Sequence, residues 1–334
     1  MKTSLLIAQG LLCAAFLDAA TPQQPDVING KVEARALAGP LTQEYHRVEA
    51  SATTPLWLAY AFPAVPGQGT MCGIDQHNNI VRLEGQDTLL VLFRFENRAL
   101  DRVRVASLDC QFDAGGLPFI LLTGVPPSQS VDLLMELIPT WNQNGRRSHS
   151  DSMVTAIAMN RDPAAERALE SMLAPSQPES LREKVLFWLA NSRGRSGFEA
   201  VHRALQNDPS DRVREKATFA LTVSKEAGAI PAIVDAARKD KSTRVRSQAL
   251  FWLAQKAGHQ ESGVIMEAAR QDPDAHVRKQ AVFALKQIPN GDGIPLLIQL
   301  AKSGNDNEVR KQAIFWLGQS HDPRATAFFN DALK

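Results

Sequence analysis

One interval organises the second half of this 334-residue chain. The pairs Val213-Arg214, Val245-Arg246, Val277-Arg278 and Val309-Arg310 each stand thirty-two positions after the last, and Leu181-Arg182 extends the register backwards. Four residues after the first member of each pair come Val185, Ala217, Ala249, Ala281 and Ala313; eight after come Leu189, Leu221, Leu253, Leu285 and Leu317. Offsets of four and eight share one face of a helix, so each copy predicts an amphipathic helix buried along that face. Met153 and Ile157 fall in the same columns and predict a degenerate first unit near residues 149–180, giving about six units.

Each unit continues with a second apolar-periodic segment, such as Ala229, Ile230, Ile233 and Ala236, or Ile294, Leu297, Ile298 and Leu300. Asp208-Pro209, Asp272-Pro273 and Asp322-Pro323 punctuate the links between units, and Gly228, Gly258, Gly263 and Gly291 stand near the turns inside them. The unit is therefore a helical hairpin. One hairpin cannot cover its own apolar face, so the units must stack into a solenoid.

The segments VREKATFAL, VRSQALFWL, VRKQAVFAL and VRKQAIFWL, each followed by a second helix and a short acidic turn, resemble the short HEAT repeats similar to those of phycobilin lyases. The resemblance covers roughly residues 149–334 and implies a HEAT-like stack. It does not imply one function, because such stacks serve as scaffolds, adaptors and enzyme frameworks alike.

Three columns carry side chains that a stacked hairpin can use. Arg182, Arg214, Arg246, Arg278 and Arg310 open the first helices, with Asp208, Asp240 and Asp272 each five residues before a valine. An Asp-to-Arg ladder tying adjacent turns together resembles similar ladders in HEAT proteins; the other reading is a basic stripe for phosphate or carboxylate groups, opposed by Glu183, Glu215, Asp211 and Glu308. Trp188, Trp252 and Trp316 alternate with Ala220 and Ala284, which predicts volume compensation in the packing. Phe187, Phe219, Phe251, Phe283 and Phe315 lie six residues after the Val or Leu, turned away from the apolar face, where charge is expected. Gln248 and Gln255, Gln280 and Gln287, and Gln312 and Gln319 flank the later rings, with Lys184 and Asn191 in the first copy. Lateral packing between units is one account of this stripe. The other is a surface for an extended peptide, whose backbone the amides bond while the rings hold its side chains. It resembles the Asn and Trp ladder of armadillo stacks, with Phe in place of Trp and Gln in place of Asn.

Upstream, residues 57–62, 80–83, 89–95, 103–108 and 119–122 read as strands separated by turns at Gly67-Gln68-Gly69, Gly85, Asn97-Arg98 and Gly115-Gly116. Val131, Leu133, Leu134 and Leu137 predict a helix ended by Pro139. The expected organisation is α+β and multidomain: a signal peptide over residues 1–20, a tether with one short helix over 21–54, a small antiparallel β domain with one helix over 55–140, and the HEAT-like α-solenoid over 149–334. The Gly115-Gly116 pair lacks the spacing of a phosphate loop and reads as a turn.

Lys2, an apolar run over residues 5–17 and the small residues Ala19 and Ala20 have signal-peptide organisation, too short to span a bilayer, which predicts a periplasmic or secreted protein. Leu12 before Cys13 argues against lipidation. Export leaves Cys72 and Cys110, which predicts a disulfide, with a metal-binding thiol pair or two free cysteines as alternatives. The formal charge of +1 conceals about seven net positive charges over residues 181–334 against about six net negative over 21–180. The basic half could attract an acidic partner; export and intermixed acids speak against nucleic acid.

Sequence signatures of catalysis are missing: there is no HExxH, GxSxG, Walker or Rossmann glycine pattern, or CxxC. HEAT-type hydroxylases hold iron with His-Glu pairs, whereas His202, His259, His276 and His321 are never followed by Glu, and His46 is isolated. The expectation is therefore a protein- or peptide-binding scaffold without catalytic residues, metal or cofactor. A lyase-like or metal-dependent enzyme built on the same stack is the alternative.

Overall fold

The computed structural model describes residues 24–66, 72, 87–143, 147–303 and 306–332. The expected signal segment, the strand at 80–83 and the turns at Gly67-Gln68-Gly69 and Gly85 lie outside these residues.

Among the described residues, seven strands and two helices form the N-terminal part: β1 (Asp26–Ile28), β2 (Val32–Ala36), α1 (Leu41–Ser51), β3 (Leu56–Pro63), β4 (Thr88–Glu96), β5 (Ala99–Ser107), β6 (Gln111–Asp113), β7 (Phe119–Thr123) and α2 (Pro127–Gln143). The main sheet runs in the order β2-β7-β3-β4-β5, and β1 pairs with β6 apart from it. β3, β4 and β5 are antiparallel as the turns suggest, but β2-β7 and β7-β3 are parallel, so the sheet is mixed. β3 and β4 read as near-continuous apolar runs because both faces are covered. Leu58, Tyr60, Phe62, Val91, Phe93 and Phe95 face the helices, while Ala59, Leu90 and Leu92 pack with Phe119 and Leu121 on the other side. Between β4 and β5, Asn97 and Arg98 both take the left-handed conformation, the geometry of a two-residue hairpin turn.

The stretch expected as a tether is integral to this domain. β2 hydrogen-bonds along β7, and α1 buries Leu41, Tyr45 and Val48, with the Tyr45 ring edge-on to Phe93 and Phe95 at 5.2 Å. Pro139 does not end α2 but lies inside it. Its missing N–H removes one intrahelical bond, and the helix is held through that point by the buried Leu137 and Ile138.

Six hairpins follow: α3 (Arg147–Met159) with α4 (Pro163–Met172), α5 (Glu179–Ser192) with α6 (Gly194–Asn207), α7 (Asp211–Leu221) with α8 (Ala229–Lys239), the two limbs of α9 (Thr243–Gln271), α10 (Ala275–Lys286) with α11 (Ile294–Ser303), and α12 (Asn307–Gly318) with α13 (Pro323–Ala332). The limbs of α9 break at Ala257, whose φ of −138° is not helical. Asp162, Ser210, Asp274 and Asp306 cap helices by accepting from their first amides. Val213, Val245, Val277 and Val309, with the Ala and Leu columns behind them, are buried.

The sheet and the first hairpin share one core. Met159 and Arg161 extend the edge of β3, Val65 N donating to Met159 O at 2.8 Å and Arg161 N to Pro63 O at 3.0 Å. The buried Asn160 donates to Pro127 O at the start of α2. Arg193, between α5 and α6, sends Nη2 to the carbonyls of Ile157, Ala158 and Asn160 at 3.1, 2.8 and 2.7 Å. It thus caps the C-terminus of α3, while its own burial lowers its pKa. Cys72 and Cys110 are joined by a disulfide. Among the described residues no helix is long and apolar enough to cross a membrane.

Candidate functional site

The Arg column lies inside the stack. Arg214 grips Asp240 through Nε and Nη2, Arg246 grips Asp272 in the same way, Arg182 reaches Asp208, and Arg278 reaches Asp306. Each Nη1 also donates to carbonyls in the loop before its own helix, such as Asp208 O for Arg214 and Asp240 O for Arg246. The carboxylates are doubly employed, because Asp208, Asp240 and Asp272 accept backbone amides of Ser210, Ser242 and Asp274. Hydrogen bonding to Asp240 and Asp272 raises the pKa of Arg214 and Arg246. Arg182, Arg214 and Arg246 are buried, so three of the five guanidiniums cannot meet a solvent-borne anion. Arg310 bonds Asn307 of its own helix.

The Phe column forms a continuous aromatic ladder with the Trp column. Phe187 and Phe219 stack nearly parallel, centroids 6.2 Å apart and planes 11° from each other, and Phe251 and Phe283 repeat this at 6.4 Å and 8°. Between these pairs Phe219 meets Trp252 at 5.0 Å, and Phe283 meets Trp316 at 5.2 Å. Trp188, Trp252 and Trp316 each stand edge-on to the phenylalanine preceding them in sequence. Beside the volume compensation expected from sequence, the alternation produces a lateral arrangement of rings. Ala220 and Ala284 are buried, and beside the Phe of each such unit lies the indole of the next one. All three indoles are half-buried, and Trp188 and Trp316 pack against the flank of the core.

Lateral packing does not close this ridge to solvent. Phe187, Phe219, Phe251 and Phe283 are half-buried, and Phe315 is 52% exposed. Gln248, Gln280 and Gln312 lie one turn before the rings of their helices and are half-buried; Gln287 is half-buried, and Gln255 and Gln319 are exposed. The Gln255 amide donates to Gln287 O at 3.3 Å. The amides of the other five form no hydrogen bond with the described residues. Sequence reasoning missed the lysines that complete the ridge: Lys216 Nζ is 5.3 Å from the Phe219 centroid, and Lys286 Nζ is 5.9 Å from that of Trp316. Lys216 stands three residues before Phe219 and Lys286 three residues after Phe283, spacings of one helical turn that place each on the face of its ring.

The remaining sequence candidates fall elsewhere. His202 stacks on Phe198, His259, His276 and His321 are exposed, and His46 lies between Glu49 and Glu136. Among the described residues no group of three or more His, Cys, Asp or Glu is placed to hold a metal. Gly115 and Gly116 make a turn in which Gly115 N donates to the Asp113 carboxylate and Gly116 N to Asn29 O.

Residues 165–254 and 264–334 match the HEAT repeats family. No curated protein matches the chain. Among solved structures the chain is similar to human deoxyhypusine hydroxylase in complex with glycerol, at 14% identity over 61% of this chain and 90% of that one, with a TM-score of 0.34. The helical hairpins over these matched residues are similar to HEAT repeats, as the thirty-two-residue spacing suggests.

Proposed function

We propose that this chain is an exported scaffold that binds a protein or extended peptide along its aromatic ladder, and that it is not a catalyst. The observation that carries the reading is the ridge itself: eight rings in unbroken contact across five repeats, each keeping part of its surface in water. Aromatic side chains offer large contact area at small entropic cost, and unpaired amides beside them can satisfy a ligand backbone. Repeat stacks supply such extended surfaces. The likeness of the repeats to phycobilin lyases is read as one of repeat form. Export rests on the N-terminal Lys2 and apolar run together with the Cys72–Cys110 bridge.

The test compares partners captured by wild type and by the Phe251→Ala/Phe283→Ala double variant from the same extract, with circular dichroism verifying that both are folded. Loss of specific partners is expected. An identical set captured by a folded double variant removes the ladder as the binding surface. Cell fractionation and the intact mass of the native protein test export, which fails if the protein keeps residues 1–20 and stays in the cytoplasm.

A further inference from the structure

We infer that the ladder selects acidic partners: an extended polypeptide in which glutamate or aspartate side chains accompany apolar ones. The inference rests on the ladder being a binding surface and goes beyond it to the chemistry of the ligand.

Charge along the ladder is graded. The first helices α5 and α7 contain Glu179, Glu183, Asp211 and Glu215 beside their basic residues, whereas the first limb of α9 and the whole of α10 contain no acid at all, and α12 contains Glu308 alone. The acids nearest the rings are already held. Arg212 lies 3.4 Å from Glu183, Arg244 pairs with Glu215, and Glu308 sits between Lys279 at 3.3 Å and Lys311 at 3.1 Å. The lysines over the rings are in the opposite condition. Lys216 and Lys286 are exposed, and no carboxylate among the described residues lies within ion-pair reach of either. Lys256, one turn beyond Trp252, is exposed and equally without an acid.

A cation above an aromatic face is held there by the ring quadrupole, and it remains able to bind a carboxylate. A carboxylate bound by Lys216 or Lys286 would therefore be set beside a ring surface ready for the neighbouring apolar side chain. Basic ligands meet the reverse situation, with two uncompensated ammonium groups over the rings, a third one turn beyond Trp252, and acids engaged by Arg or Lys. Complementary charge steers association and rejects like-charged competitors.

The probe is a fluorescently labelled synthetic peptide of alternating glutamate and leucine, compared by anisotropy with glutamine–leucine and lysine–leucine counterparts on the full-length protein. The glutamate peptide is expected to bind about tenfold more tightly than the glutamine one, with the preference shrinking as salt rises from about 0.05 to 0.5 M. Lys216→Ala with Lys286→Ala is expected to weaken the glutamate peptide about fivefold or more, at a few-fold per cation–π lysine, and to leave the glutamine peptide unchanged. Equal binding of the glutamate and glutamine peptides, both lost in Phe251→Ala/Phe283→Ala, would overturn the acidic preference and leave the ladder standing as a binding surface. Tighter binding of the lysine peptide would also overturn the preference. Absence of binding by all three, or binding indifferent to the Phe substitutions, would remove both.

Discussion

Arg214 on α7 and Asp240 after α8, twenty-six residues apart, are joined by two near-parallel hydrogen bonds, Nε to Oδ2 at 2.9 Å and Nη2 to Oδ1 at 3.1 Å. Both side chains are almost wholly withdrawn from water, at 3% and 7% exposure. Such a pair is costly to break from one side, because the remaining charge is left buried without a partner. It also fixes how one hairpin sits on the next, since Asp240 orients the Ser242 amide at the start of the following unit.

Arg214→Ala is therefore expected to destabilise the protein by about 3 to 5 kcal/mol, read as a lower urea midpoint. Arg195→Ala is the control. Its ion pair with Glu199 is solvent-exposed, and loss of such a pair changes stability by less than about 1 kcal/mol. Similar effects for the two substitutions would show that the buried ladder does not couple the repeats.

The aromatic ridge should be energetically uneven along its length. Trp252 is half-buried and touches both Phe219 and Phe251, whereas Phe315 is half-exposed and, among the described residues, pairs with one ring, that of Trp316. Trp252→Ala is expected to cost about 2 kcal/mol, roughly half the loss for a fully buried aromatic, and Phe315→Ala about 0.5 kcal/mol. Thermal unfolding of the two variants checks the order. A cost for Trp252 equal to that of a fully buried aromatic would mean that the exposed part of the indole contributes nothing to the difference.

The stack was legible in the sequence because its signal is repeated: the Val, Ala and Leu columns recur at one interval, so each copy corrects ambiguity in the others. The sheet had no such redundancy. β2 is a five-residue strand whose partner, β7, comes about ninety residues later, and a parallel pairing leaves no turn motif between its strands. α1 buries only Leu41, Tyr45 and Val48, a single stripe among polar residues and one alanine. The Phe column could be placed on a helix face from spacing alone. Whether its rings faced solvent could not, because Phe219 touches Trp252 only through the way two hairpins lean on each other. Arg193 was missed for a related reason: it stands in no column, and its three carbonyl acceptors are more than thirty residues upstream.

Two glycines in the solenoid should respond to alanine with opposite sign. A Cβ on Gly293 would run into the carbonyl oxygen of Leu285, where α11 crosses the end of α10. Gly263 lies within the second limb of α9, and nothing lies within 4 Å of where its Cβ would stand. Gly293→Ala is expected to destabilise by about 2 kcal/mol or more through a backbone shift, while Gly263→Ala stabilises by about 0.5 to 1 kcal/mol through helix propensity. Urea titration of both variants decides the matter; stabilisation by both would mean that the crossing at Gly293 has room to open.

Closing the Cys72–Cys110 bridge removes loop entropy from the unfolded chain over a separation of 38 residues. On the chain-entropy relation this is worth about 4 kcal/mol. Reduction, or the Cys72→Ser/Cys110→Ser variant, is expected to lower the melting temperature, with the sheet domain losing more than the far repeats. Hydrogen exchange resolves the two: protection should fall in β4 and β5 before it falls in α10. An unaltered melting curve after verified reduction would show that the bridge does not constrain the unfolded chain.

His46 offers a pH dependence whose sign follows from its neighbours. Its Nε2 lies 2.7 Å from Glu136 on α2 and its Nδ1 3.1 Å from Glu49 on α1; the hydrogen bond to Glu136 raises its pKa above the ordinary histidine value, burial opposes this, and the hydrogen bond to Glu49 adds to the rise. A raised folded-state pKa means the protonated ring favours the folded protein. The stabilisation is complete below the unfolded value near 6.5 and disappears as pH rises through the folded value. The ring and Glu136 are each 49% exposed, so solvent screening keeps the effect small. His46→Gln should thus lose stability relative to wild type near pH 5.5 and match it near pH 8.5, measured by urea midpoints at both. A constant difference across that range would mean that the two glutamates hold the ring equally in either protonation state.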